Sequence, residues 1–104
     1  MNPDHYGLQQ LIDDLSKRDP AQAVAYGFGK PHSYRGYYED LAFEPVSDTT
    51  VGAMLGAAQE AMGETYQGYK GGDFTMGSYT SVWLAEYGST GETLGAVMLA
   101  LMLG

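Results

Sequence analysis

Apolar residues recur along this chain with two periods, and the switches between them predict the order of elements. Leu8, Leu11, Ile12 and Leu15 fall at the i, i+3, i+4, i+7 spacing of one helical face, which predicts a first helix over residues 6–18. Asp4 stands where a side chain can cap its start, and Lys17 and Arg18 stand in its last turn, where cations favour the helix dipole. Asp19-Pro20 stops it, because proline disfavours helical geometry in the residue before it. From residue 23 the period becomes two. Val24, Tyr26 and Phe28 share a face of a strand predicted over residues 23–28. Gly29-Lys30-Pro31-His32-Ser33 then reads as a loop, and residues 34–38 as a short strand or extended loop. A second strand is expected over residues 41–46, with Pro45 at its end or on an edge.

The helical period returns with Val51, Met54, Leu55, Ala58 and Met62, behind the caps offered by Asp48-Thr49-Thr50 and ending near Gly63. Alanines at 53, 57, 58 and 61 allow this helix to lie close to a sheet. Residues 66–76 read as a loop entering a strand near Asp73. Residues 80–87 read as a strand with apolar positions on both faces, which predicts a central place in the sheet. Ser89-Thr90-Gly91-Glu92 is a plausible cap for a last helix running to Leu103, with a buried strand as the alternative for part of it. The order helix, strands, helix, strands, helix predicts an α+β fold: a mostly antiparallel sheet with two to three packed helices. Residues 1–104 form one small domain in this reading, since neither a repeat nor a dividing linker interrupts the pattern.

Composition narrows the function. Thirteen acids against five Lys and Arg leave a formal charge of −8, so a broad basic face for duplex nucleic acid is close to excluded. Cysteine is absent, which removes disulfide staples and thiolate metal sites and fits a cytosolic protein. The start, Met1 to Tyr6, has neither a cationic lead nor an apolar run, so no secretory leader is expected. Residues 94–103 are apolar over about half of the roughly 20 residues a bilayer crossing needs. That segment either closes the core or serves self-association. Fifteen glycines raise the chain entropy that folding must overcome, so a small core would benefit from assembly.

The positions of the cations matter more than their number. With Lys17 and Arg18 assigned to a helix end, Lys30, Arg35 and Lys70 remain, all within two glycine-aromatic segments, residues 29–38 and 66–75. Glycines let backbone N–H groups approach phosphates, arginine offers a planar fork, and aromatic rings stack on bases. His32 and Ser33 add short donors beside Arg35. Taken singly, each residue has an ordinary structural role: Arg35 paired with Glu39 or Asp40, Lys70 with Asp73, tyrosines packed between sheet and helix. Taken jointly, the two clusters favour a small phosphate-bearing ligand.

Catalysis is not expected. His5 and His32 lack a partner at metal-ligand spacing, and Ser33 lacks the Gly-x-Ser-x-Gly frame of a nucleophile elbow. Glu39, Glu44 and Glu86 are carboxylates on or beside strands, a pattern more often met as scattered surface charge. No catalytic residue, metal or cofactor is therefore assigned. Mimicry of nucleic acid is weaker still, because the acids fall in separate pairs such as Asp13-Asp14 and Glu39-Asp40.

The stretch Gly27-Phe28-Gly29-Lys30-Pro31-His32-Ser33-Tyr34-Arg35-Gly36-Tyr37-Tyr38, followed by Leu41-Ala42-Phe43-Glu44-Pro45, resembles a family of small phage proteins, the first-described Thoeris anti-defence sponges. The similarity continues through Thr50-Val51-Gly52, Gly68-Tyr69-Lys70-Gly71-Gly72-Asp73-Phe74-Thr75-Met76 and Trp83-Leu84-Ala85-Glu86-Tyr87-Gly88, covering residues 23–91. The resemblance implies a non-enzymatic protein of the infected host's cytoplasm. Such a protein sequesters cyclic ADP-ribose isomers made by bacterial TIR-domain proteins, and in some members cyclic oligonucleotides at separate sites. It also implies a homo-oligomer, a dimer or higher. On the matched stretches it assigns His32 and Arg35 to pyrophosphate and ribose, with Ser33 and Tyr38 beside them. It assigns Lys70, Phe74 and Thr75 from the second segment, with Phe74 stacking. The family also binds through charged residues near its C-terminus, whereas residues 93–104 here carry no charge. Two further readings stand beside this one. One is an inhibitor that contacts a bacterial defence complex, for example CRISPR, through an acidic, tyrosine-rich face. The other is a small hydrolase using His32 with a carboxylate.

Overall fold

A computed structural model of the chain describes residues 5–34, 37–67, 73–85 and 91–103; for 33, 34, 37–39, 65–67, 73 and 74 it describes the backbone only. The elements are α1 (Leu8–Ser16), β1 (Ala23–Tyr34), β2 (Tyr37–Thr50), α2 (Val51–Ala61), β3 (Thr65–Gln67), β4 (Asp73–Thr75), β5 (Val82–Leu84), β6 (Glu92–Thr93) and α3 (Ala96–Leu103). They form one small α+β domain. A four-stranded sheet runs in the order β1-β2-β5-β6, antiparallel except for the parallel β2–β5 pair, and β3–β4 form a separate antiparallel hairpin. As its two covered faces predict, β5 is central.

The helical stripes become the core. Leu8, Leu11 and Leu15 of α1 meet Val51, Met54, Ala58 and Ala61 of α2 against Val24, Phe28, Leu41, Phe43 and Val82 of the sheet. Phe28 and Phe43 stack at 4.8 Å between centroids, tilted by 50°. Small side chains at 58 and 61 bring α2 onto β1. The Thr50 side chain caps α2 by accepting the Ala53 N–H at 3.1 Å. Gly63 follows the helix at φ +84°, the left-handed geometry that glycine adopts without a Cβ penalty.

Several expectations are corrected. Helix α1 begins at Leu8 behind Gly7, whose N–H donates to Gln10 Oε1 at 2.8 Å; Asp4 lies outside the described residues. The helix ends at Ser16, so Lys17 is its C-cap rather than part of its last turn. Arg18 is held by an ion pair with Asp14, Nε to Oδ1 3.0 Å. Residues 29–33 are strand, not loop. One extra residue, Lys30 at φ +48°, sits between Gly29, opposite Glu44, and Pro31, opposite Phe43, and this bulge absorbs the irregularity that reads as a loop in the sequence. Proline is tolerated there because β1 is the sheet's edge. The strand expected over 80–87 is described only as Val82–Leu84, with the Ala85 N–H donating to Phe43 O at 3.0 Å beyond it. Finally, Glu92 and Thr93 are strand β6 rather than a helix start, because they pair with Leu84 and Trp83; α3 begins at Ala96.

The last helix both closes the core and leaves an apolar side uncovered. Leu99 is buried, while Val97 and Leu101 are 54% and 76% exposed. No described helix is long and apolar enough to cross a membrane.

Candidate functional site

β1 pairs antiparallel with β2, and β3 with β4, so the described parts of both glycine-aromatic segments lie on paired strands. The two hairpins touch: β3 lies against β1, and β4 against β2. The base of the second is tied down by paired backbone bonds, Gly63 N–H to Met76 O and Met76 N–H to Glu64 O, both 2.8 Å, and by the buried Met76 side chain. Two segments some forty residues apart in sequence are thereby carried on neighbouring supports.

The bulge at Lys30 decides what His32 faces. Before it, even-numbered β1 residues pair with odd-numbered β2 residues, and Val24 and Phe28 enter the core. After it, His32 lies opposite Ala42, while Leu41 and Phe43 keep the core face. A one-residue insertion thus moves the imidazole to the other side of the sheet. There a cross-strand row runs His32, Ala42, Trp83, Thr93, each the register partner of the next. Ala42 and Ala85 are buried in a small second cluster with Trp83. The His32 ring is about nine-tenths buried and its Nε2 lies 3.1 Å from the Ala85 carbonyl oxygen, so Nε2 carries the proton and donates. Trp83 takes the His5 ring edge-on at 4.6 Å.

Of the other residues assigned from the sequence, Ser33 lies in β1 opposite Leu41, Tyr38 in β2, and Phe74 in β4 opposite Tyr66. Thr75 ends β4 with an exposed side chain. Arg35 and Lys70 lie outside the described residues, as do the pairings proposed for them with acids. Lys30 is exposed at its bulge.

Trp83 lies outside the residues that the sequence pattern assigns to a site. It lines an open groove of about 500 Å³ with Glu92, Thr93, Val97, Met98 and Leu101. Only its position, the sole tryptophan on the outward face of a central strand, hinted at it. Among the described residues, Tyr26 and Tyr79 stand in solvent, at 78% and 96% exposure. Among the described residues no group of three or more His, Asp or Glu could hold a metal ion. Compared with known proteins, the chain matches no family model, no curated protein and no solved structure.

Proposed function

We propose that this protein binds and sequesters a small cyclic nucleotide of the cyclic ADP-ribose type without turning it over, and so silences a host Thoeris defence signal. The observation that carries the reading is the packing of the β1–β2 hairpin on the β3–β4 hairpin, since these support the two segments that bear Arg35, Tyr38, Lys70 and Phe74. A pyrophosphate asks for Arg and Lys with close backbone N–H groups, and an adenine face asks for an aromatic ring. Both kinds of group are present in those segments. Assembly of copies through the uncovered side of α3, around Val97 and Leu101, completes the proposal.

The test is to incubate the protein with cyclic ADP-ribose isomers, remove free ligand, denature by heat and assay what is released. Intact isomer supports sequestration. A chemically altered product replaces the reading with an enzyme. Absence of binding favours a protein-contact inhibitor, for which the solvent-exposed Tyr26 and Tyr79 are the specific support, since tyrosine is enriched at interfaces.

A further inference from the structure

We infer that His32 is a positioning residue of the proposed nucleotide site, acting as a strut that ties the β1–β2 hairpin to Ala85 instead of touching the ligand itself. The inference rests on the nucleotide reading above. Its ring is about nine-tenths buried, and Nε2 is committed to the Ala85 carbonyl across 53 residues of sequence. The bond crosses the sheet. β1 and β5 are not neighbours, since β2 lies between them, and the β2 residue opposite His32 is Ala42. A methyl group there leaves room for the imidazole to lie over β2; a larger side chain would fill that space. Ala85 is itself fixed, because its N–H donates to Phe43 O at 3.0 Å. The edge strand is therefore fastened to the central strand at the point where the stretch 33–38 begins, with Ser33, Arg35 and Tyr38 on it.

Edge strands held on one side fray easily at their ends, and a ligand site loses affinity when its supports are loose. Fastening β1 at His32 lowers the conformational freedom that binding would otherwise have to remove. The Lys30 bulge is part of the device, since without the extra residue His32 would turn into the core.

The test compares wild type, His32→Ala and His32→Gln, whose amide can donate to the same carbonyl, with Leu15→Val as a core control on α1. Affinity for a cyclic ADP-ribose isomer is measured by calorimetry, melting temperature by circular dichroism, and the His32 ring by ¹⁵N NMR. The free wild type should show a protonated Nε2 whose hydrogen exchanges slowly. His32→Ala should lose at least tenfold in affinity and His32→Gln should recover most of it, while Leu15→Val lowers the melting temperature and leaves affinity unchanged. Should His32→Ala fail to fold, the Gln variant and the ring spectrum decide. Unchanged affinity in His32→Ala, or a ring resonance that shifts as a direct ligand contact while the Ala85 bond breaks, overturns the positioning role alone. A wild type that binds no nucleotide overturns the functional reading and this role with it.

Discussion

The Tyr6 hydroxyl donates a 2.7 Å hydrogen bond to Oδ2 of Asp14, whose other oxygen accepts the Arg18 Nε–H at 3.0 Å. The same tyrosine donates its backbone N–H to Leu94 O at 2.7 Å and accepts from Val82 N–H at 3.2 Å. One residue thus joins α1, the central strand and the approach to α3.

Partial burial pushes the Tyr6 phenol up to about 12, helped by the hydrogen bond to Asp14 and by its negative charge, with Arg18 opposing. Between pH ~10 and ~12 the unfolded chain has lost this proton while the folded one keeps it, so stability falls as pH rises through that window. Tyr6→Phe should cost about 1 kcal/mol below pH ~10, after allowing for solvent screening. Urea melts of both proteins should show that gap closing by pH ~12. A gap independent of pH would mean that the hydroxyl's proton is not what stabilises.

Lys30 sits at φ +48°, where a side chain crowds the following carbonyl. Lys30→Gly relieves this but adds entropy to the unfolded chain, so its stability should stay within about 0.5 kcal/mol of wild type. Lys30→Val, β-branched and ill suited to this region, should cost about 1–2 kcal/mol. Equal melts for Gly and Val would show that residue 30 is not held in a left-handed bulge.

A Cβ added at Gly91 would overlap the Leu84 carbonyl oxygen and press on Ala85. Gly91→Ala must therefore push β6 away from β5, at a cost of about 2 kcal/mol or more. Chemical denaturation measures this, and the Trp83 fluorescence should change with it, because Trp83 pairs with Thr93. A neutral Gly91→Ala would contradict the close approach of these segments.

For the nucleotide site, Arg35→Ala and Phe74→Ala should each weaken binding of a cyclic ADP-ribose isomer by about tenfold or more, the scale of a lost charge-assisted bond or base stack. Circular dichroism must show the fold retained. Unchanged affinity in both variants would remove the two segments from the site.

Period and caps were legible in the chain itself. The stripes of α1 and α2, the Thr50 cap, the Gly63 stop and the two-faced β5 all follow from local geometry that each residue imposes on its neighbours, whereas Tyr26, expected to share an apolar face with Val24 and Phe28, is 78% exposed. The α+β class followed from their order. The glycine-aromatic segments were visible as composition, because their residue types carry chemistry wherever they fold. What lay beyond the sequence were relations between distant positions. A Gly-Lys-Pro run looks like a loop until β2 supplies a ladder for β1, and then Lys30 becomes one bulged residue that turns His32 to the other face. Ser89-Thr90-Gly91-Glu92 resembles a helix cap until β5 offers its edge and takes Glu92 and Thr93 as a strand. The bond from His32 to Ala85, the row through Ala42 to Trp83 and the packing of one hairpin on the other have no local signature either. Hydrogen-bond partners across a sheet are chosen by tertiary pairing, which short-range propensity does not encode.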